Sequence, residues 1–497
     1  MSNIVYQSTR DANNQVSASQ AILKGIAEDG GLYIPTQIPE IEFDWDSLQH
    51  ASYQEIAKLV LGAFFTDFTS EEISYCVDSA YDEKFDDKRI APVVKLKDNA
   101  YVLELFHGNT IAFKDMALSI LPYLMTTAAK KNQLNEDIVI LTATSGDTGK
   151  AAMAGFADVP GTKIMVFYPN KAVSKIQELQ MTTQVGDNTS VVAIKGNFDD
   201  AQSAVKAMFN DASMIKQVGE MGYRFSSANS INIGRLVPQV AYYVYSYAQL
   251  VKQGALAINE PMDVVVPTGN FGNILAAYYA KQIGTPIRNF ICASNQNNVL
   301  VDFFNKGVYD RKRPFYVTNS PSMDILVSSN LERLVYHVTG ADTVETHELM
   351  QQLMNDGQYA ITDDMQSQLQ DFFAYEASQE QTLTTIKEMF DAVNYTLDPH
   401  TAVAVYAYQQ YKETQTDNVP TVIAATASPY KFPTTVMSAL ESDSAQEDDF
   451  KCVETLQQLT SIVIPETVSE LSQLPVRHQT VCEIDEMKDV VLAFLNN

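Results

Sequence analysis

Cysteine is scarce in this 497-residue chain: there are four, Cys76, Cys292, Cys452 and Cys482, far apart and with no CxxC pair. That spacing argues against a disulfide framework and against a zinc site, so no metal is expected, and it fits a reducing cytoplasm. Long apolar runs are also lacking. No stretch approaches the roughly 18 uncharged residues that a membrane-crossing helix needs. The opening MSNIVYQSTRDANNQ has no basic start followed by an apolar core, so no secretory signal is expected. Positive charge is in short supply, with 34 lysines and arginines against 61 aspartates and glutamates, a net charge of −27. Nucleic acids and anionic membranes both favour positive protein faces, and neither is expected as a partner. A buried site can still be locally positive inside an acidic shell, so the balance leaves the substrate's charge open. Internal repeats and low-complexity linkers are missing too.

What is there suits a large soluble protein. Hydrophobic residues make up 46% and charged residues 19% of the chain, ample for sizeable cores. The length exceeds one ordinary core, so two or three domains are expected. Residues 1–98 read as a helical unit. Ser17 opens a short helix that Gly30 and Gly31 are expected to stop. Leu32 to Pro35 is extended, and two further helices follow, the second capped at Thr69. From Ala91 onward, short β-branched runs alternate with helical patterns. The runs are 137–145, 162–170, 189–197, 263–270, 286–295 and 421–428. This alternation predicts an α/β fold of largely parallel sheets with helices on both faces, and ligands beyond the carboxyl ends of the strands. Residues 310–400 read as helical cover or an insertion, the acidic run Glu441–Phe450 as solvated surface, and the end of the chain as an amphipathic helix. The division expected is 1–98, a smaller α/β unit over 99–245 and a larger one with helical cover over 246–497.

The chain is organised around Glu104–Met125, ELFHGNTIAFKDMALSILPYLM. Lys114 stands where an extended segment meets an apolar-periodic helix. A desolvated lysine loses proton affinity, and its free amine can form a Schiff base. Taken alone, Lys114 reads better as a surface lysine near a helix start. VVVPTGNFGN runs a buried strand into a glycine turn that opens a helix, which suits a phosphate; a plain tight turn explains it equally well. Its spacing matches neither a dinucleotide fingerprint nor a nucleotide P-loop. TATSGDTGKAA has the same architecture, and Thr144, Ser145 and Thr148 could hold a carboxylate at the helix start. In SANSINIGR, Arg235 has the planar fork that suits a phosphate, although a cap at Asn229 and Ser230 with a surface ion pair is the plainer reading. His107 and His400 read as structural.

These segments, with STR at 8–10, LKGIAEDGGLYIP at 23–35, DPHTAVAVY at 398–406 and TASPYKF at 426–432, resemble the threonine synthases. They come in that family's order and span nearly the whole chain. The resemblance implies a fold type II pyridoxal-phosphate-dependent enzyme, a lyase of threonine biosynthesis that is cytoplasmic and a monomer or homodimer. It implies pyridoxal 5'-phosphate as cofactor, joined to Lys114 as a Schiff base, and O-phospho-L-homoserine and water as substrates, giving threonine and phosphate. Gly269, Asn270, Phe271, Gly272 and Asn273 would cradle the cofactor phosphate, Asp147 would lie against the ring oxygen, and Thr426 would bond the ring nitrogen. Thr144, Ser145 and Thr148 would hold the substrate carboxylate, and Asn229, Ser230 and Arg235 its phosphate. If Asp147 lies beside the cofactor phenolate, one of the two is expected to hold a proton. The alternatives are an O-phosphohomoserine phospho-lyase, a serine/threonine dehydratase on the same fold, and a non-catalytic binding protein. The sequence departs from many members at Asn109, where they have proline, and at Ser428, where they have histidine, which bears on fine specificity alone.

Overall fold

The computed structural model describes residues 3–496 apart from residues 145, 171, 172, 174 and 442–447. The expected β-branched runs form two sheets. In the larger, the strands lie in the order Phe372–Glu376, Ile287–Ser294, Met262–Pro267, Thr421–Ala425, Ala100–Glu104 and Val93–Lys97. All neighbours are parallel except the last pair, an antiparallel hairpin. The smaller sheet runs Thr480–Cys482, Thr189–Ile194, Thr162–Pro169, Asp137–Ala143 and Tyr223–Ser226, parallel throughout. Every residue of Met262–Pro267 is buried, as parallel strands covered on both faces require.

Several elements differ from the sequence expectation. Phe372–Glu376, in a stretch that reads as helical, is the edge strand of the larger sheet. Phe372 and Ala374 are buried there, so a period of two decides the local state over the acid-rich surroundings. The boundary expected at 98/99 falls inside the hairpin of Val93–Lys97 and Ala100–Glu104. Thr480–Cys482 joins the smaller sheet from the far end of the chain. The first helix, Ala18–Lys24, stops at Gly25, whose φ of 72° ends it one turn before the glycine pair. Tyr33–Pro35 is extended as expected and pairs antiparallel with Tyr6–Ser8. Helices Tyr53–Phe64 and Ser70–Ala80 both begin with capping boxes. Of the acidic run 441–450, residues 442–447 lie outside the described residues.

The helix expected after Lys114 is two helices, Asp115–Leu118 and Leu121–Lys131. Pro122 stands in the first turn of the second, where its missing N–H costs nothing. Helix Asp147–Phe156 approaches the break so closely that a Cβ on Gly155 would lie 2.1 Å from the Leu118 carbonyl oxygen. The centre of the molecule is helix Ile233–Lys252, buried at every residue from Ile233 to Leu250. Apolar and aromatic residues occupy most of its positions because it has no solvent face, and its polar side chains Arg235, Gln239, Ser246 and Gln249 are buried with them. It packs on Tyr53–Phe64 and Gly272–Gln282, and thereby joins the amino-terminal unit to the larger sheet. Among the described residues no helix is long and apolar enough to cross a membrane.

Candidate functional site

Three adjacent strands of the larger sheet deliver the site at their carboxyl ends. Met262–Pro267 leads to Gly269–Asn273, Thr421–Ala425 to Thr426, and Ala100–Glu104 to the loop that ends in Lys114. That loop lies along Thr426. Phe113 N donates to Thr426 O at 2.8 Å, and Ser428 N donates to Ile111 O at 3.0 Å. Buried Asp115 clamps the loop from below, accepting from Thr110 N at 2.8 Å and Thr110 Oγ1 at 2.6 Å. Lys114 is thus fixed at the start of helix Asp115–Leu118, its side chain 12% exposed.

Opposite it, the smaller sheet contributes Asp147. Its Oδ2 is 3.7 Å from Lys114 Nζ and accepts from Ser322 Oγ at 3.0 Å. Its Oδ1 is 3.3 Å from Lys431 Nζ and accepts from Gln177 Nε2 at 3.1 Å. Burial pushes the Lys114 amine below the ordinary lysine range; Asp147 opposes this, and Lys431 and Arg235 reinforce it. Burial alone would raise the Asp147 carboxyl. Lys431 and Lys114 outweigh burial and hold Asp147 well below the usual carboxylate range. Thr144 Oγ1 accepts from the backbone N–H of Gly146 and of Gly149, both at 3.0 Å, so its oxygen caps the helix that carries Asp147. Thr148 is half-buried in the first turn. Ser145 lies outside the described residues.

The glycine turn has the form of an anion cup. Phe271 takes a left-handed conformation, φ 65°, and helix Gly272–Gln282 starts with no side-chain cap, which leaves first-turn N–H groups for an anion. Asn273 Oδ1 accepts from the hydroxyls of Tyr242, at 2.8 Å, and of Tyr243. Asn273 Nδ2 is left buried without a partner. A second cup lies at the start of the central helix. Arg235 donates one N–H to Ala228 O at 2.8 Å, its Nε is buried without a partner, and it makes no ion pair among the described residues. Burial pushes this guanidinium down to about 10. Asn229 is exposed and Ser230 half-buried, with Ser230 Oγ donating to Asn229 Oδ1 at 3.2 Å.

Sequence reasoning missed the residues that tie these parts together. Asn330 Nδ2 donates to Asn270 O at 3.0 Å and to Ser230 O at 3.3 Å, linking the two cups. Fully buried Arg333 donates to Asn330 Oδ1, to Ile231 O and to Tyr33 O. Next to it, Glu332 accepts from Arg10 Nε, from Arg10 NH2 and from Thr9 Oγ1, so the STR segment braces the site. Lys431, in TASPYKF, was passed over as well: nothing local marks a lysine whose partners are Thr110, Gln180 and Asp147. Lys150 follows Gly149 on the Asp147 helix, where burial and Lys431 push its amine down to about 7.

Both histidines hold structure. His400 Nδ1 lies 2.9 Å from Asp398 Oδ1, and its Nε2 accepts from Ser322 N at 3.0 Å. His107 sits between Asp86 Oδ1 at 2.5 Å and Glu104 Oε2 at 3.0 Å. Burial alone would lower His107; the two carboxylates prevail and raise it from 6.5 to about 9. A folded value above the unfolded one gives stability that is complete below about 6.5 and lost as pH rises through about 9. The stability gap between the protein and His107→Phe, up to ~3 kcal/mol by linkage, should therefore shrink from pH 6.5 to 9.5 in urea melts. A gap that widens over that range would refute the pairing.

A phosphorylated, carbonyl-bearing group fits these residues: a buried amine of low proton affinity, an uncapped helix start with an orphaned amide donor, and a hydroxyl at Thr426. Among the described residues no group of three or more histidine, cysteine, aspartate or glutamate side chains could hold a metal. Fold and site together define a pyridoxal-phosphate-dependent enzyme of fold type II. The family model "Pyridoxal-phosphate dependent enzyme" matches residues 88–426, flanked by "Threonine synthase N terminus" over 5–81 and "Threonine synthase, C-terminal" over 401–491. The chain belongs to the threonine synthase family. It is 37% identical to threonine synthase of Pseudomonas aeruginosa, over 87% of this chain and 90% of that one. With threonine synthase-like 1 of Homo sapiens it shares 40% identity over 88% of its length, and the match spans 60% of that longer protein. The PLP-bound threonine synthase structure from Brucella melitensis superposes with a TM-score of 0.88, at 34% identity, covering 99% of this chain and 100% of that one.

Proposed function

We propose that the protein converts O-phospho-L-homoserine and water to L-threonine and phosphate, a lyase reaction that completes threonine biosynthesis. The observation that carries this reading is Arg235, a buried cation with no acidic partner among the described residues, which suits a second phosphate besides the one suited to the glycine turn. Pyridoxal 5'-phosphate would supply an aldehyde for the substrate amine and a sink for electrons from the substrate's α and β carbons. Lys114 Nζ would hold it covalently, yield that bond to the substrate amine, and then carry protons at the substrate carbons as a free amine. Gly269, Asn270, Phe271, Gly272 and Asn273 would bind the cofactor phosphate, Asp147 would face its ring oxygen, and the Thr426 hydroxyl its ring nitrogen. The Thr144–Thr148 turn, with Ser145, would orient the substrate carboxylate. Arg235, with Asn229 and Ser230, would hold the substrate phosphate and stabilise it as it leaves from the γ carbon. Closure of the smaller sheet's unit over the substrate would exclude stray water until one adds at the β carbon.

The same reading takes three working units, with Ala100–Glu104 counted with the larger sheet and Thr480–Cys482 with the smaller, and the protein as a cytoplasmic monomer or homodimer. Four buried free thiols support a reducing compartment. The test is incubation of the cofactor-loaded protein with O-phosphohomoserine, assaying phosphate, threonine and 2-ketobutyrate together. Matching phosphate and threonine are expected. Phosphate with ketobutyrate would make it a phospho-lyase, and no phosphate would refute the Arg235 assignment.

A further inference from the structure

Lys431 is 1% exposed, and a buried lysine needs an acceptor for every proton it carries. It has three. Its Nζ donates to Thr110 O and to Gln180 Oε1, both at 3.1 Å, and lies 3.3 Å from Asp147 Oδ1. Two of these partners accept hydrogen bonds and the third is a carboxylate in an ion pair, so Lys431 stands as the protein's own counter-ion to Asp147. Lys114 is the other amine on Asp147, at 3.7 Å from Oδ2. One carboxylate therefore faces two lysines. The other titratable and charged groups around the cluster are Arg235 and Asp115 near Lys114, Lys150 near Lys431 and His400 near Asp147.

We infer that Lys431 is a positioning residue for Lys114: as the permanent counter-ion of Asp147, it leaves the Lys114 amine free of a proton to take up the cofactor aldehyde. The bookkeeping of charge is simple. Lys431 as ammonium and Asp147 as carboxylate cancel, and a third charge on Lys114 would stand uncompensated in a buried site. Without Lys431, Asp147 has Lys114 as its remaining lysine partner and holds it as ammonium, which is no nucleophile.

The inference rests on Lys114 as the cofactor lysine, and the test separates the two. Full-length apoprotein is mixed with pyridoxal 5'-phosphate from pH 6 to 10, covalent capture is followed by absorbance, and borohydride reduction locates the label. In Lys431→Met the midpoint of capture should move up by about one pH unit, a tenfold slower capture at neutral pH. Lys431→Arg should keep the wild-type midpoint. In Lys431→Met with Asp147→Asn the midpoint should return towards wild type, because no carboxylate remains to hold Lys114 protonated; a purely structural defect would persist. Should Lys431→Met not fold, Asp147→Asn alone decides, since unopposed Lys431 should move the midpoint down. Unchanged midpoints with the label on Lys114 overturn this inference alone. A label on another lysine overturns the Lys114 assignment.

Discussion

Lys114→Ala is expected to abolish covalent attachment of the cofactor and to lower turnover by about 10³-fold or more, because it removes both the holding bond and the proton carrier. The fold should survive. Lys114 lies at the first turn of a short helix whose shape is set by Asp115, clamped on Thr110, and by Phe113 bonded to Thr426 O. None of these contacts uses the lysine side chain. The variant should therefore bind pyridoxal 5'-phosphate reversibly in the glycine cup, show the free aldehyde's absorbance, and release it on dialysis. Mass spectrometry after borohydride reduction gives the direct readout. A reduced adduct on the variant, or turnover within tenfold of the parent, would overturn the assignment.

Arg235→Met should separate function from stability in opposite directions. On O-phosphohomoserine, kcat/KM should fall by about 10²- to 10³-fold, the loss typical when a preorganised donor to a transition-state charge is removed. The apoprotein, however, should be no less stable, and more stable by ~1 kcal/mol if methionine fills the volume. The reason is in the contacts: the guanidinium is buried, has one bond to Ala228 O, an orphaned Nε and no ion pair among the described residues. Folding bears that desolvation with little return until an anion arrives. Conversely, inorganic phosphate should raise the melting temperature of the parent more than that of the variant. A variant that loses stability and activity together would mean Arg235 is a structural residue. Arg235→Lys should recover only part of kcat/KM, since a point charge lacks the planar fork.

How far the sequence carries can be judged from particular residues. The buried strands Asp137–Ala143 and Met262–Pro267 and the turns after them were legible because β-branched runs ending in glycine leave few alternatives. Asp147 and the glycine turn follow from those elements, and the structure sets Asp147 3.7 Å from Lys114. Phe372–Glu376 was not legible: five residues paired along one edge carry too weak a local signal against acid-rich neighbours. The break at Leu118 was hidden because its cause, the approach of Gly155, lies in another helix. Lys431, Asn330 and Arg333 were missed for a similar reason. Their importance comes from what they touch at long range, and no local period encodes that.

The brace of Arg10 on Glu332 also sets an order of events in synthesis. The partners are 322 residues apart in the chain, and at ~10 residues per second the ribosome needs about half a minute to make that interval. Through that time the STR segment has no acid to receive it. The amino-terminal helices can form early on their capping boxes, but the link between the two cups waits for Asn330 and Arg333. A nascent chain thus acquires its scaffold well before its grip on anions, and free phosphate or cofactor in the cell meets a competent site only after Asn330 and Arg333 have been made.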